Sequence, residues 1–156
     1  MAKKGKYVYD WPRPMVTVDA AVFALVEGKA RLLLVQRKHE PFQGSWALPG
    51  GFIEIDEDLQ EAAARELGEE TGLRYVPLEQ LHTFVKPGRD PRGRTITVVY
   101  SGSAGKNWAQ IEAADDAARV RWFDIDNLPQ LAFDHDEISR CAIERLRQLP
   151  ASVLPA

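Results

Sequence analysis

Short apolar runs, alternating or continuous and bounded by turn residues, mark most of the chain. "TVDAAVFAL" and "ARLLLVQRK" are rich in branched residues, are joined by the turn signal "EGK", and read as paired strands. "LHTFV" and "RTITVVYSG" form a second pair, separated by the Pro-, Gly- and Arg-rich loop "KPGRDPRG". "ARVRWFDI" reads as a further strand. Two segments carry helical signals instead. One runs from Asp56 to Glu70, with acids in its opening turn and Gly72 as its stop. The other runs from Asp134 to Leu149, where "FDHDEI" supplies a capping box (Asp134 and Glu137) and a hydrophobic staple (Phe133 against Ile138). Strands flanked by a few helices predict an α/β fold in which a mixed sheet is covered on both faces. Residues 1–14 read as a polar lead-in, 15–150 as a single domain and 151–156 as a short tail.

The first helix has an unusual distribution of charge. Each residue of an α-helix advances by about 100°. With Leu59 at zero, Ala62, Ala63 and Leu67 lie within about 80° of it and form an apolar face. Glu66 and Glu70 fall about 20° to either side of the middle of that face, and Glu69 sits at its edge at about −80°. A solvated acidic patch belongs on the opposite side, with Glu57, Glu61 and Gly68. Like charges three and four residues apart repel by a few tenths of a kcal/mol even in water. Partly burying them costs several kcal/mol unless something pairs them. Arg65 reaches Glu61 and Glu69 but cannot neutralise all three core-side acids, whereas a divalent cation can. Oxygen ligands without His or Cys favour a hard ion, and magnesium leaves coordination positions open for phosphate oxygens.

Composition narrows the picture in three respects. A chain of 156 residues fits one domain with a sizeable core. The formal net charge of −3 argues against a broad nucleic-acid-binding surface. The one cysteine, Cys141, excludes an internal disulfide and fits a reducing compartment. The most apolar stretch, "MVTVDAAVFALVEG", is too short to span a membrane and contains Asp19. A cytoplasmic protein without membrane contact is expected.

The segment "GFIEIDEDLQEAAARELGEETGL" places Gly51, Glu57 and Arg65 ahead of Glu66, Glu69, Glu70 and Gly72. This spacing resembles the complete Nudix box, and the flanks resemble the family from about residue 15 to residue 148. The resemblance implies an α/β/α sandwich around a mixed sheet. It also implies hydrolysis of a nucleoside diphosphate linked to another group, by attack of water on phosphorus with magnesium or manganese. Carried onto this chain, Glu66, Glu69 and Glu70 bind the metal and the carbonyl of Gly50 completes the site. Glu57 orients the loop and helix, and Arg65 locks a carboxylate in place. Gly51 reads as a tight turn before the helix and Gly72 as a left-handed stop after it. The general base is Glu69 or an acid of the later loop "QIEAADDAARV", namely Glu112, Asp115 or Asp116.

The box says little about the leaving group. Arg37, at a strand end, and Lys86, Arg89, Arg92 and Arg94, in one loop, are candidate phosphate ligands, because arginine forks match phosphate oxygens. The competing reading of that loop is an exposed hairpin. Trp46 reads as packing or as a base-stacking ring, Asp134 as a helix cap, His135 as a weak ligand contact, Asp19 as a base or ribose contact, and Cys141 as core. "VKPGRDPRGR" and "LAFDHDEI" resemble the ADP-ribose pyrophosphatase-type branch and the related ADP-ribose-sensing regulators. The leading expectation is magnesium-dependent hydrolysis of ADP-ribose to AMP and ribose 5-phosphate. A nucleoside-triphosphate pyrophosphohydrolase is the alternative enzyme, and a non-catalytic ADP-ribose sensor the alternative of another class. The full set of box glutamates, and no DNA-binding helix pair after residue 149, count against the sensor. The expected partner is a small nucleotide, with no nucleic acid; a homodimer is common in that branch.

Overall fold

In the computed structural model, which describes residues 5–113 and 117–155, β1 (Met15–Val26) and β2 (Lys29–Arg37) form the expected antiparallel hairpin. Its turn residues Glu27 and Gly28 both have positive φ, 52° and 76°. A two-residue turn that follows the right-handed twist of its strands requires this. The second pair is β5 (Glu79–Phe84) with β6 (Thr95–Ser103), also antiparallel. β6 runs parallel to β1 from Met15 opposite Thr95 to Phe23 opposite Ser103, which joins the two pairs. β7 (Ala117–Asp124) pairs antiparallel with β2.

Two strands were not legible in the sequence. β3 (Trp46–Ala47) pairs with β2, and β4 (Gly50–Phe52) pairs with β1. Two or three residues are too few to show a period. The result is one mixed seven-stranded sheet in the order β3-β2-β1-β6-β5, with β4 on β1 and β7 on β2.

The period-2 alternation of β1 divides the core. Val18, Ala20, Val22, Ala24 and Val26, with Leu33 of β2, meet Ala62, Ala63 and Leu67 of helix α1 (Leu59–Thr71). Ala21 and Phe23, with Leu32 and Leu34, meet Ile138, Ala142 and Ile143 of helix α2 (His135–Gln148) on the other face. The fold is therefore the expected α/β/α sandwich. Among the described residues, no helix is long and apolar enough to cross a membrane.

Helix boundaries and caps depart from expectation. α1 starts after Asp58, so Asp56 and Glu57 lie in the preceding loop. The Asp58 amide donates to Glu61 Oε2 at 3.4 Å, and Gly72 closes the helix in the left-handed conformation at φ 78°. Asp134 precedes α2, but its carboxylate makes no capping bond, because Arg89 holds it. Cys141 is half-buried rather than a core residue.

Candidate active site

Glu66 and Glu70 are buried on the face of α1 that packs against the sheet, at 7% and 9% exposure. The side chain of Glu69, at the edge, is 31% exposed. The helical arithmetic therefore survives folding. Arg65 gathers Glu57, Glu66 and Glu69. Its Nε and Nη2 form a bidentate fork with Glu57, both bonds 2.7 Å, while Nη1 donates to Glu66 Oε1 at 2.9 Å and Glu69 Oε2 at 3.2 Å. Nη2 also donates to the carbonyl of Phe52 at 3.2 Å, which ties the helix to β4. The expected reach of Arg65 to Glu61 is replaced by the fork to Glu57. Glu57 in turn accepts the Glu54 amide at 2.8 Å and so shapes the loop that enters the helix.

The electrostatics follow from these contacts. The Arg65 fork holds the Glu57 carboxyl below its ordinary value. Burial raises Glu66 above its own, and the Arg65 bond only partly offsets this. Arg65 is held charged chiefly by Glu57.

Two glycines admit this arrangement. A Cβ on Gly51 would stand 2.6 Å from Glu66 Oε1, and one on Gly50 would stand 2.2 Å from the Val18 carbonyl and 2.4 Å from Asp19 Oδ1. At Gly51 the constraint is thus the approach of the Glu66 carboxylate, which a side chain there would displace, rather than a turn conformation.

The donor chemistry decides whether a cation fits this arrangement. Among the described residues, no group of three or more His, Cys, Asp or Glu side chains is already gathered as a cation cage. The donors are nonetheless all carboxylates, two of them buried, beside backbone that lacks side chains at Gly50 and Gly51. That set fits a hard divalent ion.

The basic residues separate into two groups. Arg89 is withdrawn: its side chain is 4% exposed and grips Asp134 bidentately, at 2.8 and 2.6 Å. Arg94 donates to the Val85 carbonyl. Arg37 and Arg92 instead converge, their guanidinium carbons 4.8 and 5.2 Å from the centre of the Phe133 ring. Arg92 also lies 4.9 Å over Phe52 and pairs with Asp90 at 2.8 Å, while Arg37 donates to the Pro41 carbonyl at 2.7 Å. Since the Phe52 carbonyl accepts from Arg65, Arg92 adjoins the acidic helix in space, and Arg37 meets Arg92 at the Phe133 ring.

The remaining candidates fall as follows. Trp46 packs edge-on against Phe123, at 4.8 Å between centroids, and serves as packing. Asp19 and His135 are buried, not open to a ligand. Thr97 Oγ1 donates to Asp19 Oδ2 at 2.5 Å, and the Leu48 amide donates to His135 Nδ1 at 3.0 Å. The Glu112 amide donates to the Thr71 carbonyl at 2.7 Å, bringing that loop to the end of α1. Asp115 and Asp116 lie outside the described residues. Sequence reasoning missed Phe52 and Phe133 as ring platforms, and no local signal marks them.

The sequence profile of the NUDIX domain matches residues 15–146. The chain belongs to the Nudix family. It is 42% identical over 125 residues to an ADP-ribose pyrophosphatase of Methanocaldococcus jannaschii, covering 80% of this chain and 70% of that enzyme. It is 35% identical over 156 residues to the ADPR responsive transcriptional repressor NtrR of Acinetobacter baylyi, covering 94% of this chain and 62% of the repressor. The chain therefore spans less than two thirds of that repressor's length. Among solved structures, the NUDIX domain of Shewanella oneidensis NrtR complexed with ADP ribose superposes with a TM-score of 0.80 at 35% identity, over 88% of this chain and 94% of that one. In this Nudix chain Arg65 draws together three of the box glutamates, Glu57, Glu66 and Glu69.

Proposed function

We propose that this Nudix hydrolase cleaves ADP-ribose to AMP and ribose 5-phosphate, with magnesium as its cation and manganese able to replace it. The observation that carries the substrate is the likeness to the Methanocaldococcus jannaschii ADP-ribose pyrophosphatase over 80% of the chain. The pairing of Arg37 and Arg92 around Phe133, with Arg92 also over Phe52 beside the acidic helix, supports it. Water adds to one phosphorus, the bridging P–O bond breaks, and two phosphate monoesters leave. Glu66, Glu69, Glu70 and the Gly50 carbonyl would hold the cation, which would neutralise charge on the diphosphate. Glu69, the most exposed of the three acids, takes the proton of the attacking water. Arg65 holds Glu66 and Glu69 in register, with Glu57 fixing Arg65 from behind. Arg37 and Arg92 face the diphosphate.

The test is kcat/KM for ADP-ribose beside the common nucleoside triphosphates at fixed magnesium, with products identified. ADP-ribose is expected to lead and to give AMP plus ribose 5-phosphate. A preference of even tenfold, about 1.4 kcal/mol in transition-state binding, for any triphosphate overturns the assignment. A sensor is the second reading, favoured by the likeness to NtrR over 94% of the chain. ADP-ribose binding with no turnover, whether magnesium or EDTA is present, identifies it. We further propose a cytoplasmic homodimer that does not bind nucleic acid. Exposed Tyr7, Val8, Tyr9 and Trp11 ahead of β1 supply apolar surface for a second copy.

A further inference from the structure

We propose that His135 is a positioning residue for the active site, holding the Leu48–Gly51 turn against the acidic helix through the Leu48 amide. The inference rests on the cation-binding role of Glu66, Glu69 and Glu70 proposed above. His135 does not face the site. It acts from behind, across 87 positions of sequence.

The turn between β3 and β4 has few ways to be held. Pro49 has no amide to donate, and its carbonyl accepts from Ala20 at 2.8 Å. The Leu48 amide is buried and needs an acceptor; His135 Nδ1 supplies one at 3.0 Å. An Nδ1 that accepts carries no proton, so the neutral ring bears its hydrogen on Nε2. Nε2 lies 3.7 Å from Asp19 Oδ1, and the other oxygen of Asp19 is occupied by Thr97. The Leu48 amide thereby selects the tautomer, and the Asp19 carboxylate, beyond hydrogen-bond reach, favours a proton on Nε2 by its charge.

The surroundings keep the imidazole neutral. Burial dominates in lowering its pKa; Asp19 and Asp134 oppose this, and Arg89 and Arg37 reinforce it. The Phe133 ring, 5.5 Å from the imidazole, belongs to the platform shared by Arg37 and Arg92.

The position of this turn matters because it fits closely on both sides. Gly50 abuts Asp19 Oδ1 and Gly51 abuts Glu66 Oε1, each so near that a Cβ would collide. Displacing Leu48 shifts Gly50 relative to Asp19 and Gly51 relative to Glu66. His135 thus sets the alignment of backbone and carboxylate without touching a ligand.

Two substitutions separate this role from volume-filling. The Oδ1 of Asn reproduces the place of Nδ1, whereas the amide of Gln reaches toward the place of Nε2. Measured by electron paramagnetic resonance with Mn2+ and no nucleotide, His135→Gln is expected to weaken cation binding by about tenfold or more, and His135→Asn to stay within about threefold of the parent. kcat is expected to fall in the same order, with KM for ADP-ribose little changed. Nitrogen-15 NMR of the unsubstituted protein should show Nε2 protonated and Nδ1 bare; a proton on Nδ1 overturns the proposal even if His135→Gln does not fold. A folded His135→Asn with collapsed Mn2+ affinity overturns it as well. Equal Mn2+ affinity in both folded variants overturns this proposal alone. A parent that binds no Mn2+ overturns the cation assignment and this inference with it.

Discussion

In the proposed mechanism Glu66 gives up stability for a role in cation binding. Its carboxylate is buried beside Gly51 and is only partly compensated by Arg65. Burial raises its folded pKa above the ordinary 4.5. Between those two values the unfolded chain has released a proton that the native chain retains, so native stability falls as pH rises through the window. Glu57 has the opposite sign: lowered by Arg65, it contributes stability above its ordinary value, and this is lost as pH falls through the folded value. In EDTA, Glu66→Gln should therefore be more stable than the parent at about pH 7 and should lose that advantage below about pH 4, as chemical denaturation would measure. With magnesium, kcat should fall by about 10²-fold or more, the loss of one electrostatic stabiliser. Parental turnover at saturating magnesium would refute the metal role.

The Lys86–Arg94 loop and the start of α2 act as one element. Arg89 and Asp134 are a buried, bidentate pair 45 positions apart. Removing one partner leaves a buried charge, so Arg89→Ala should destabilise the fold by about 3–5 kcal/mol. Thermal or urea unfolding would show this as a lowered midpoint. Arg92 behaves differently, since its side chain is 35% exposed and stands over Phe52 and Phe133. Arg92→Ala leaves the buried Asp90 carboxylate with the backbone amide of residue 92 as its remaining donor among the described residues, so some loss of stability is expected here too. The substitution should raise KM for ADP-ribose or lower kcat. If Arg89→Ala folded as stably as the parent and lost only substrate affinity, the division between structural and substrate-facing arginines would fail.

At the scale of the whole molecule, the sheet carries its two functional layers on opposite faces. α1 and the acidic cluster lie on one face; α2, Asp19 and His135 approach from the other, and the Gly50–Gly51 backbone joins them at the edge of β1. A cation that binds the native acids and not the unfolded chain raises stability by mass action, by about 2.7 kcal/mol at a hundred times its dissociation constant. Tm should accordingly rise with magnesium, return to the starting value on adding EDTA, and rise less in Glu70→Gln. A Tm indifferent to magnesium, manganese and EDTA would argue against a native cation site.

Much of this protein was determined locally. The 3.6-residue period alone places Glu66 and Glu70 on the buried face of α1 and Glu69 at its edge, because one helix carries all three. Gly72 as the helix stop and the turn at Glu27 and Gly28 are equally local, since both depend on a few backbone angles. Contacts between distant segments were decided by the sheet. Arg89 read as a phosphate ligand by residue type, and parallel pairing of β6 with β1 helps bring its loop to Asp134. Asp134 read as a helix cap, but a fork to a guanidinium satisfied its carboxylate instead. The partner of His135, a backbone amide 87 residues away, has no signature in any window of sequence, because a buried N–H acquires its acceptor only when the layers have packed.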